Sequence, residues 1–298
     1  MKNPVTIDNK RVTVSGRFLK TARLEAEYYE WIENAEEFID KLKSSGIRAD
    51  VFTFLPEIGD RKQRHDFRCE LDSIAVLPIT NYENWWKNQI NDKTRNMVRK
   101  AQKTGVELRP VPFNDDLVRG VMEIYNESPI RQGKPFKHYR KDFETIKATH
   151  ITFLDQSEFI GAFYKNELIG FIKLVHGPKV SSLMQIISKI GHRDKAPTNA
   201  LIAKAVEICG QRGVSYLHYG IWGRGGGLGD FKKHHAFERF DLPRYSVPLT
   251  AKGKLMLGLN LHRNASEYLP EKCLTFLLNL RRRWTLFRYR NQKVAMGQ

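Results

Sequence analysis

The run KVSSLMQIISKIGHRDKAPTNALIAKAVEICGQRGVSYLHYGI, residues 179–221, decides how the chain is read. It opens with an apolar segment of strand length, Val180 to Ile190. Pro197 then starts a helical pattern: Leu201, Ile202, Ala205, Ile208 and Cys209 fall on one side, and Gly210 or Gly213 ends it. VSYLHYGI is a second strand-length run. A helix of this length can cross over a sheet, so the two strands are expected in one sheet, parallel or nearly so.

Upstream, EFIGAFYKN and ELIGFIKLVHG are strands joined at Lys165-Asn166, a hairpin turn. HITFLDQ, residues 150–156, reads as another strand. NDDLVRGVMEIYNES is a helix with an Asn/Asp cap and apolar Leu117, Val118, Val121, Ile124 and Tyr125. KHYRKDFETIKAT is a second helix. The segment from Asn81 to Gly105 reads as one helix, capped by Thr80 or Asn81, and VELRPVP follows as a strand. Nearer the N-terminus, RVTVSGRFLKTARL, ADVFTFLP and DSIAVLPI are strand-like, and AEEFIDKLKSSG is a helix stopped by Gly46. Downstream, a short helix GDFKKHHAF precedes a last strand RYSVPLT. This order is α/β (α+β), with a mixed sheet flanked by helices.

The Gly-rich stretch GIWGRGGGLGDFKKHHAF, residues 220–237, raises and fails the obvious nucleotide motifs. It contains neither G-x-x-x-x-G-K-[ST] nor G-x-G-x-x-G. His234 and His235 are adjacent, about 100° apart on a helix, with no C-x-x-C or H-E-x-x-H beside them, so no metal site is expected.

The chain of 298 residues carries a net charge of +17, which calls for an acidic partner: nucleic acid, an anionic membrane surface or a phosphorylated substrate. Three widely spaced cysteines form no metal or redox motif and suit a reducing cytoplasm. No signal-like apolar region opens the chain, and no apolar run approaches the ~18 residues of a membrane span. The charge is concentrated. Lys87 to Arg109 holds seven basic and two acidic residues, and Ala251 to Gln298 holds ten and two. In that tail Cys273, Leu277, Leu280, Trp284 and Phe287 share one helical face. Such a helix either packs by its apolar side or lies on anionic lipid, and nucleic acid is a third partner for its arginines.

Several stretches in order carry a family resemblance. TRNMVRKAQKTGVELR, PTNALIAKAVEICGQRGVSYLHYG and LGDFKKHHAF resemble elements of GNAT-fold N-acyltransferases, most closely their FemAB-like aminoacyl-transferring branch, and IYNESPIRQGKPFKHY resembles a motif of bacterial GNAT-fold proteins of unassigned substrate. The resemblance spans roughly residues 70 to 250 and, with the tail read above, divides the chain into three parts. These are an N-terminal α/β lobe (1–80) that is a degenerate GNAT-like unit, a GNAT-like acyltransferase domain (81–250) and a basic amphipathic helical tail (251–298). It implies an N-acyltransferase that moves an acyl group from acyl-CoA (acetyl-CoA included), or an aminoacyl group from tRNA, to an amine on a cell-envelope sugar or peptide precursor. The expected setting is the cytoplasm, with the inner face of the membrane as an alternative through the tail. The other classes are a non-enzymatic basic RNA-binding protein and a membrane-peripheral protein.

The resemblance also places the chemistry where SLMQIIS and YLHYGI splay apart. Amide formation needs a proton acceptor, an oxyanion donor and a group near the leaving atom. His218, Tyr219, Asp230 and Lys232 are the catalytic candidates, although His218 and Tyr219 point to opposite faces of their strand. Asp230 also suits a helix N-cap. Glu127, Arg131, Gln132 and Lys233 are candidates for binding substrate, Arg131 through a bidentate fork. Ser188, Gly191, His192, Arg193, Thr198 and Asn199 surround the helix start where acetyl-CoA enzymes hold a pyrophosphate. Their usual second glycine is missing from SKIGHRDKAPTNAL, which weakens the case for acetyl-CoA as the donor.

Overall fold

The computed structural model describes residues 5–59, 65–223 and 227–261, together with 279, 280, 283, 284 and 287. In chain order the elements begin β1 (Val5–Ile7), β2 (Lys10–Ser15), β3 (Thr21–Leu24), α1 (Ala35–Ser44), β4 (Val51–Phe54) and β5 (Arg68–Pro78). Next come α2 (Tyr82–Asn84), a π-helical turn Trp85–Gln89, α3 (Asp92–Lys103), β6 (Glu107–Pro110), α4 (Asp115–Asn126), β7 (Ile130–Arg131), β8 (Lys134–Pro135) and α5 (Phe143–His150). The chain continues through β9 (Ser157–Tyr164), β10 (Glu167–His176), β11 (Val180–Ser188), α6 (Pro197–Arg212), β12 (Tyr216–Ile221), α7 (Gly227–His234), β13 (Glu238–Pro248) and α8 (Ala251–Gly258). Two compact units divide it: Met1–Ile74 with Arg239–Tyr268, and Ala75–Glu238 with Leu269–Gln298.

In the first unit the strands run β1-β2-β3-β4-β13-β5, with β3 and β4 parallel. The stretch RVTVSGRFLKTARL is two antiparallel strands, β2 and β3, rather than one. Gly16, at φ 99°, turns the chain between them, a conformation open to glycine. Asn34 caps α1 by accepting from the Glu37 N–H. Ala35, Phe38, Ile39 and Leu42 then face one way and pack among Val12, Leu24, Phe52 and Tyr245.

Gly253, in the first turn of α8, has no room for a side chain. A Cβ there would sit 1.9 Å from the Asp50 carbonyl oxygen. That oxygen is fixed by the Leu249 N–H at 2.9 Å. Gly253→Ala is therefore expected to destabilise the chain by about 2–3 kcal/mol. Gly258→Ala, which meets nothing within 4 Å, is expected to be neutral. Urea unfolding of the two variants checks this pair, and equal midpoints would refute it.

In the second unit the strands run β5-β12-β11-β10-β9-β6. β9 and β10 form the expected hairpin, with Lys165 and Asn166 at φ 50° and 65° in its two-residue turn. The crossover through α6 makes β11 and β12 parallel, as its length requires. Gly213, at φ 68°, ends α6 and returns its N–H to Cys209 and Gly210. Alternation along β10 sends Ile172 and Leu174 into the core under α6, and Phe171 into the core under α4 and α5.

Three expectations differ from the structure, two through local caps and one through a tertiary contact. The helix expected from Asn81 to Gly105 breaks at Ile90, because Asn91 turns its side chain onto the Thr94 N–H and caps a new helix. The helix expected over KHYRKDFETIKAT starts only at Phe143, capped by Asp142. HITFLDQ is not a strand. The fully buried ammonium of Lys173 takes the carbonyls of His150 and Thr152, and Phe153 adopts φ 55° ahead of a short 3-10 turn, Leu154–Gln156. A charge in the core needs such acceptors, and the loop supplies them.

Of the tail beyond residue 261, only 279, 280, 283, 284 and 287 are described, all helical, with Leu280, Trp284 and Phe287 exposed. The rest of the amphipathic face expected there, Cys273 and Leu277 included, lies outside the described residues.

Candidate functional site

β11 and β12 stay paired for three residues only, ending at Ser182 opposite His218. The β10–β11 register slips at that level: Lys173 faces Gln185, the next residue Leu174 faces Leu183, and Met184 is the extra residue. Such a bulge bends its strand. Beyond it β11 follows β10 as far as Ser188, and β12 runs on to Ile221. A cavity of about 570 Å3 opens where the two part. Gln185 to Ser188 of β11 and Tyr219 of β12 form its back. Thr198 and Asn199 of α6, Leu228 and Phe231 of α7, and the β7–β8 hairpin close its sides.

The hairpin explains SPIRQGKPF. Gln132 and Gly133, at φ 51° and 74°, make a two-residue turn that pairs Arg131 with Lys134. Arg131, Lys134, Lys137 and Arg193 line the cavity, and no Asp or Glu is among its described lining residues. Its wall is therefore cationic and suited to an anion.

Arg131 also binds this wall together. Its guanidinium donates to the Ile124 carbonyl at 2.6 Å, the Ser188 carbonyl at 2.8 Å and Glu127 Oε2 at 3.0 Å, and stacks 5.0 Å from the Phe136 ring centre. It thus ties the end of α4 to the end of β11. Glu127 in turn accepts from the backbone N–H groups of Ile190 and Gly191, the second at 2.8 Å. A carboxylate of the chain itself occupies the amides that open the turn before α6.

At the other wall, α7 is anchored by its C-terminal end. Trp85 Nε1 donates to the His235 carbonyl at 3.1 Å, and Thr94 Oγ1 donates to that of His234 at 2.9 Å. This fixes Lys232, which is 3% exposed. Its ammonium donates to the carbonyls of Tyr219 at 2.7 Å and Ile221 at 2.8 Å and lies 4.6 Å from the Tyr219 ring centre. Burial lowers its pKa to about 8. Burial raises the Tyr219 phenol above its ordinary range. His218 is buried behind the cavity, 3.2 Å from Ser182 Oγ through Nδ1, and burial followed by the charge of Lys232 lowers its pKa to about 3.

Of the residues singled out from the sequence, Arg131, Gln132, Ser188, Arg193, Thr198, Asn199 and Tyr219 line the cavity together. Ser188 and Thr198 join through their hydroxyls at 2.8 Å. Lys232 stands behind Tyr219, and Glu127 and Gly191 bind each other beside the cavity. His192 lies toward Glu167 and Tyr164, and Asp230 and Lys233 are exposed; none of the three lines the cavity. Lys134, Phe136, Lys137, His138, Gln185 and Phe231 line it without having been singled out. Lys134 to His138 lie within IYNESPIRQGKPFKHY, where the basic-aromatic alternation KPFKH was the available signal. Gln185 is marked only by being polar in the apolar run SLMQIIS. Among the described residues no His, Cys, Asp and Glu cluster suits a metal, and no helix is long and apolar enough to cross a membrane.

No family model matches the sequence, and no curated protein matches it. Solved structures do. The chain is similar to FemX, with 10% identity over 85% of this chain and 88% of that one, at a TM-score of 0.57. L-PGS from Bacillus licheniformis matches at 12% identity over 85% of each chain, with a TM-score of 0.57. The C-terminal domain (DUF2156) of a candidate lysylphosphatidylglycerol synthetase from Agrobacterium fabrum matches at 12% over 85% and 86%, with a TM-score of 0.56. The GNAT-like mixed sheet expected from the sequence is the fold of this chain, shared with FemX and L-PGS.

Proposed function

We propose that the chain is an N-acyltransferase that joins an activated acyl or aminoacyl group to an amine. One observation carries this reading: a cationic cavity at the parting of β11 and β12, with Tyr219 at its back and Lys232 held behind that ring. The amine nitrogen attacks the acyl carbon, the bond to the leaving oxygen or sulfur breaks, the amine gives up a proton and the leaving atom takes one. The edge of β11 beyond Ser182, past its last pair with β12, offers backbone amides to the oxyanion. The Tyr219 phenol, which keeps its proton through the neutral range, donates to the leaving atom. Lys232 holds the end of β12 in place and adds positive potential there.

The donor this geometry favours is an aminoacyl-tRNA. A CoA pyrophosphate would have to displace Glu127 from the Ile190 and Gly191 amides. A tRNA backbone has exposed cations to meet on α3, namely Lys93, Arg99, Lys100 and Lys103. The similarity in fold to FemX and L-PGS suits such a donor, and a cell-envelope precursor fits as the acceptor. A ligand that binds only the folded chain raises its melting temperature. Aminoacyl-tRNA is expected to do so at micromolar concentration, more than deacylated tRNA, and acetyl-CoA and longer acyl-CoAs are not expected to at millimolar. A rise with a CoA thioester alone reverses the choice of donor. No rise with any of them, and no transfer to an amine, overturns the transferase.

A further inference from the structure

The titratable groups on the cavity wall divide sharply. Arg131, Lys134, Lys137 and Arg193 are basic side chains, Tyr219 is a phenol, and no carboxylate is among the described lining residues. His138 is the remaining group, and nothing in the reaction above has used it. It follows the β7–β8 hairpin, its ring 4.8 Å from that of Tyr125 and 5.3 Å from that of Phe136. Tyr125 is itself fixed through its hydroxyl to His150 Nε2 at 3.2 Å. The imidazole is thus clamped between rings on the wall, and its Nδ1 is buried with no partner among the described residues. That Nδ1 is closed to a ligand, so the ring meets the cavity through Nε2, which is not among the buried unpartnered atoms.

We propose that His138 accepts the proton that the acceptor amine gives up, an inference that rests on the transferase reading. In the tetrahedral intermediate the attacking nitrogen is bonded to the acyl carbon and carries a positive charge. Its N–H pair passes to nitrogen as the proton moves to the neutral imidazole. The carbon–oxygen bond to tRNA then breaks and the leaving oxygen takes its proton from Tyr219. Burial, then the charges of Lys141 and Lys137, lower the His138 pKa to about 4, so the free imidazole is neutral at physiological pH. A base this weak does not strip an ordinary ammonium. It acts instead on the nitrogen of the intermediate, which is more acidic than a free ammonium and sits beside the newly formed oxyanion, and the cations around it discourage a protonated amine from entering at all.

The test compares two probe acceptors, alaninamide and hydroxylamine, with aminoacyl-tRNA as donor. Hydroxylamine is a weakly basic nucleophile that depends little on a base. His138→Gln is expected to slow transfer to alaninamide by roughly 10²–10⁴-fold and transfer to hydroxylamine by less than about tenfold. In His138→Ala, added imidazole is expected to restore transfer to alaninamide, which no loss of packing would allow. An undiminished rate with alaninamide in His138→Gln overturns the proposal and leaves the transferase standing. Equal losses with both probes, without imidazole rescue, also overturn it, because they mark a packing role. A wild-type chain that transfers to neither probe overturns the transferase reading and this one with it.

Discussion

Lys232→Met is expected to lower transfer by roughly 10²-fold, because the end of β12 that carries Tyr219 loses the ammonium that holds it, and a small misplacement of a reacting group costs on that order. Met fills most of the buried volume but leaves the carbonyls of Tyr219 and Ile221 without the ammonium they share. An orphaned buried acceptor costs about 1–3 kcal/mol, and Ile221 is largely exposed, so a stability loss of about that size should accompany the loss of activity. The pH dependence gives a sharper sign. The Lys232 pKa is lowered from 10.5 to about 8. Between those values the unfolded chain holds a proton that the folded chain has released, so this group adds stability as pH rises through about 8 to 10.5. The stability gap between wild type and Lys232→Met should therefore widen over that window, as read by urea unfolding at pH 7.5 and pH 10. If the ammonium serves the reaction, wild-type activity should fall as pH passes about 8. A constant gap together with full activity in Lys232→Met would refute both roles.

Arg131→Ala is expected to be the second large effect, a stability loss of about 3 kcal/mol with collapse of anion binding in the cavity. The guanidinium reaches three acceptors at once, the carbonyls of Ile124 and Ser188 and the carboxylate of Glu127. Its side chain is 11% exposed, so water replaces little of what is lost. Arg131→Lys is expected to recover only a small part, since one ammonium cannot span the end of α4, the end of β11 and Glu127 as a planar fork does. Urea midpoints for the two variants, with pyrophosphate titrations of the folded protein, check this. A lysine variant as stable as wild type would show that charge alone suffices at this position.

The strand–helix–strand core was legible because its signals are local. Pro197 opens α6, Gly213 closes it, and the apolar side between them matches the buried residues Leu201, Ile202, Ala205, Ile208 and Cys209. Lys165-Asn166 needs left-handed backbone twice, which that pair tolerates, and it does turn the β9–β10 hairpin. HITFLDQ misled for the opposite reason. Its apolar residues suit a strand, but the deciding partner, Lys173, is some twenty residues away in β10. The break at Asn91 lay between, since an Asn inside a helical pattern reads equally as a surface residue or as a cap.

For the candidate site, the sequence by itself determined which segments contribute: the ends of SLMQIIS and YLHYGI, the start of the long helix, SPIRQGKPF and DFKKHHAF. It also determined the sign of the charge they carry. Only the tertiary structure decided which side chains meet. Lys232 turns inward to the carbonyls of β12 and its neighbour Lys233 turns to solvent, a difference of about 100° around one helix that no composition reveals. Glu127 closes on the amides of Ile190 and Gly191, more than sixty residues away, and His138 reaches the cavity because the hairpin before it folds back. Elements follow from periodicity and caps, which act over a few residues. A site follows from the register and bulge of strands far apart in the chain, and the slip at Met184 that accompanies the parting of β11 from β12 is a relation between strands that neither strand encodes alone.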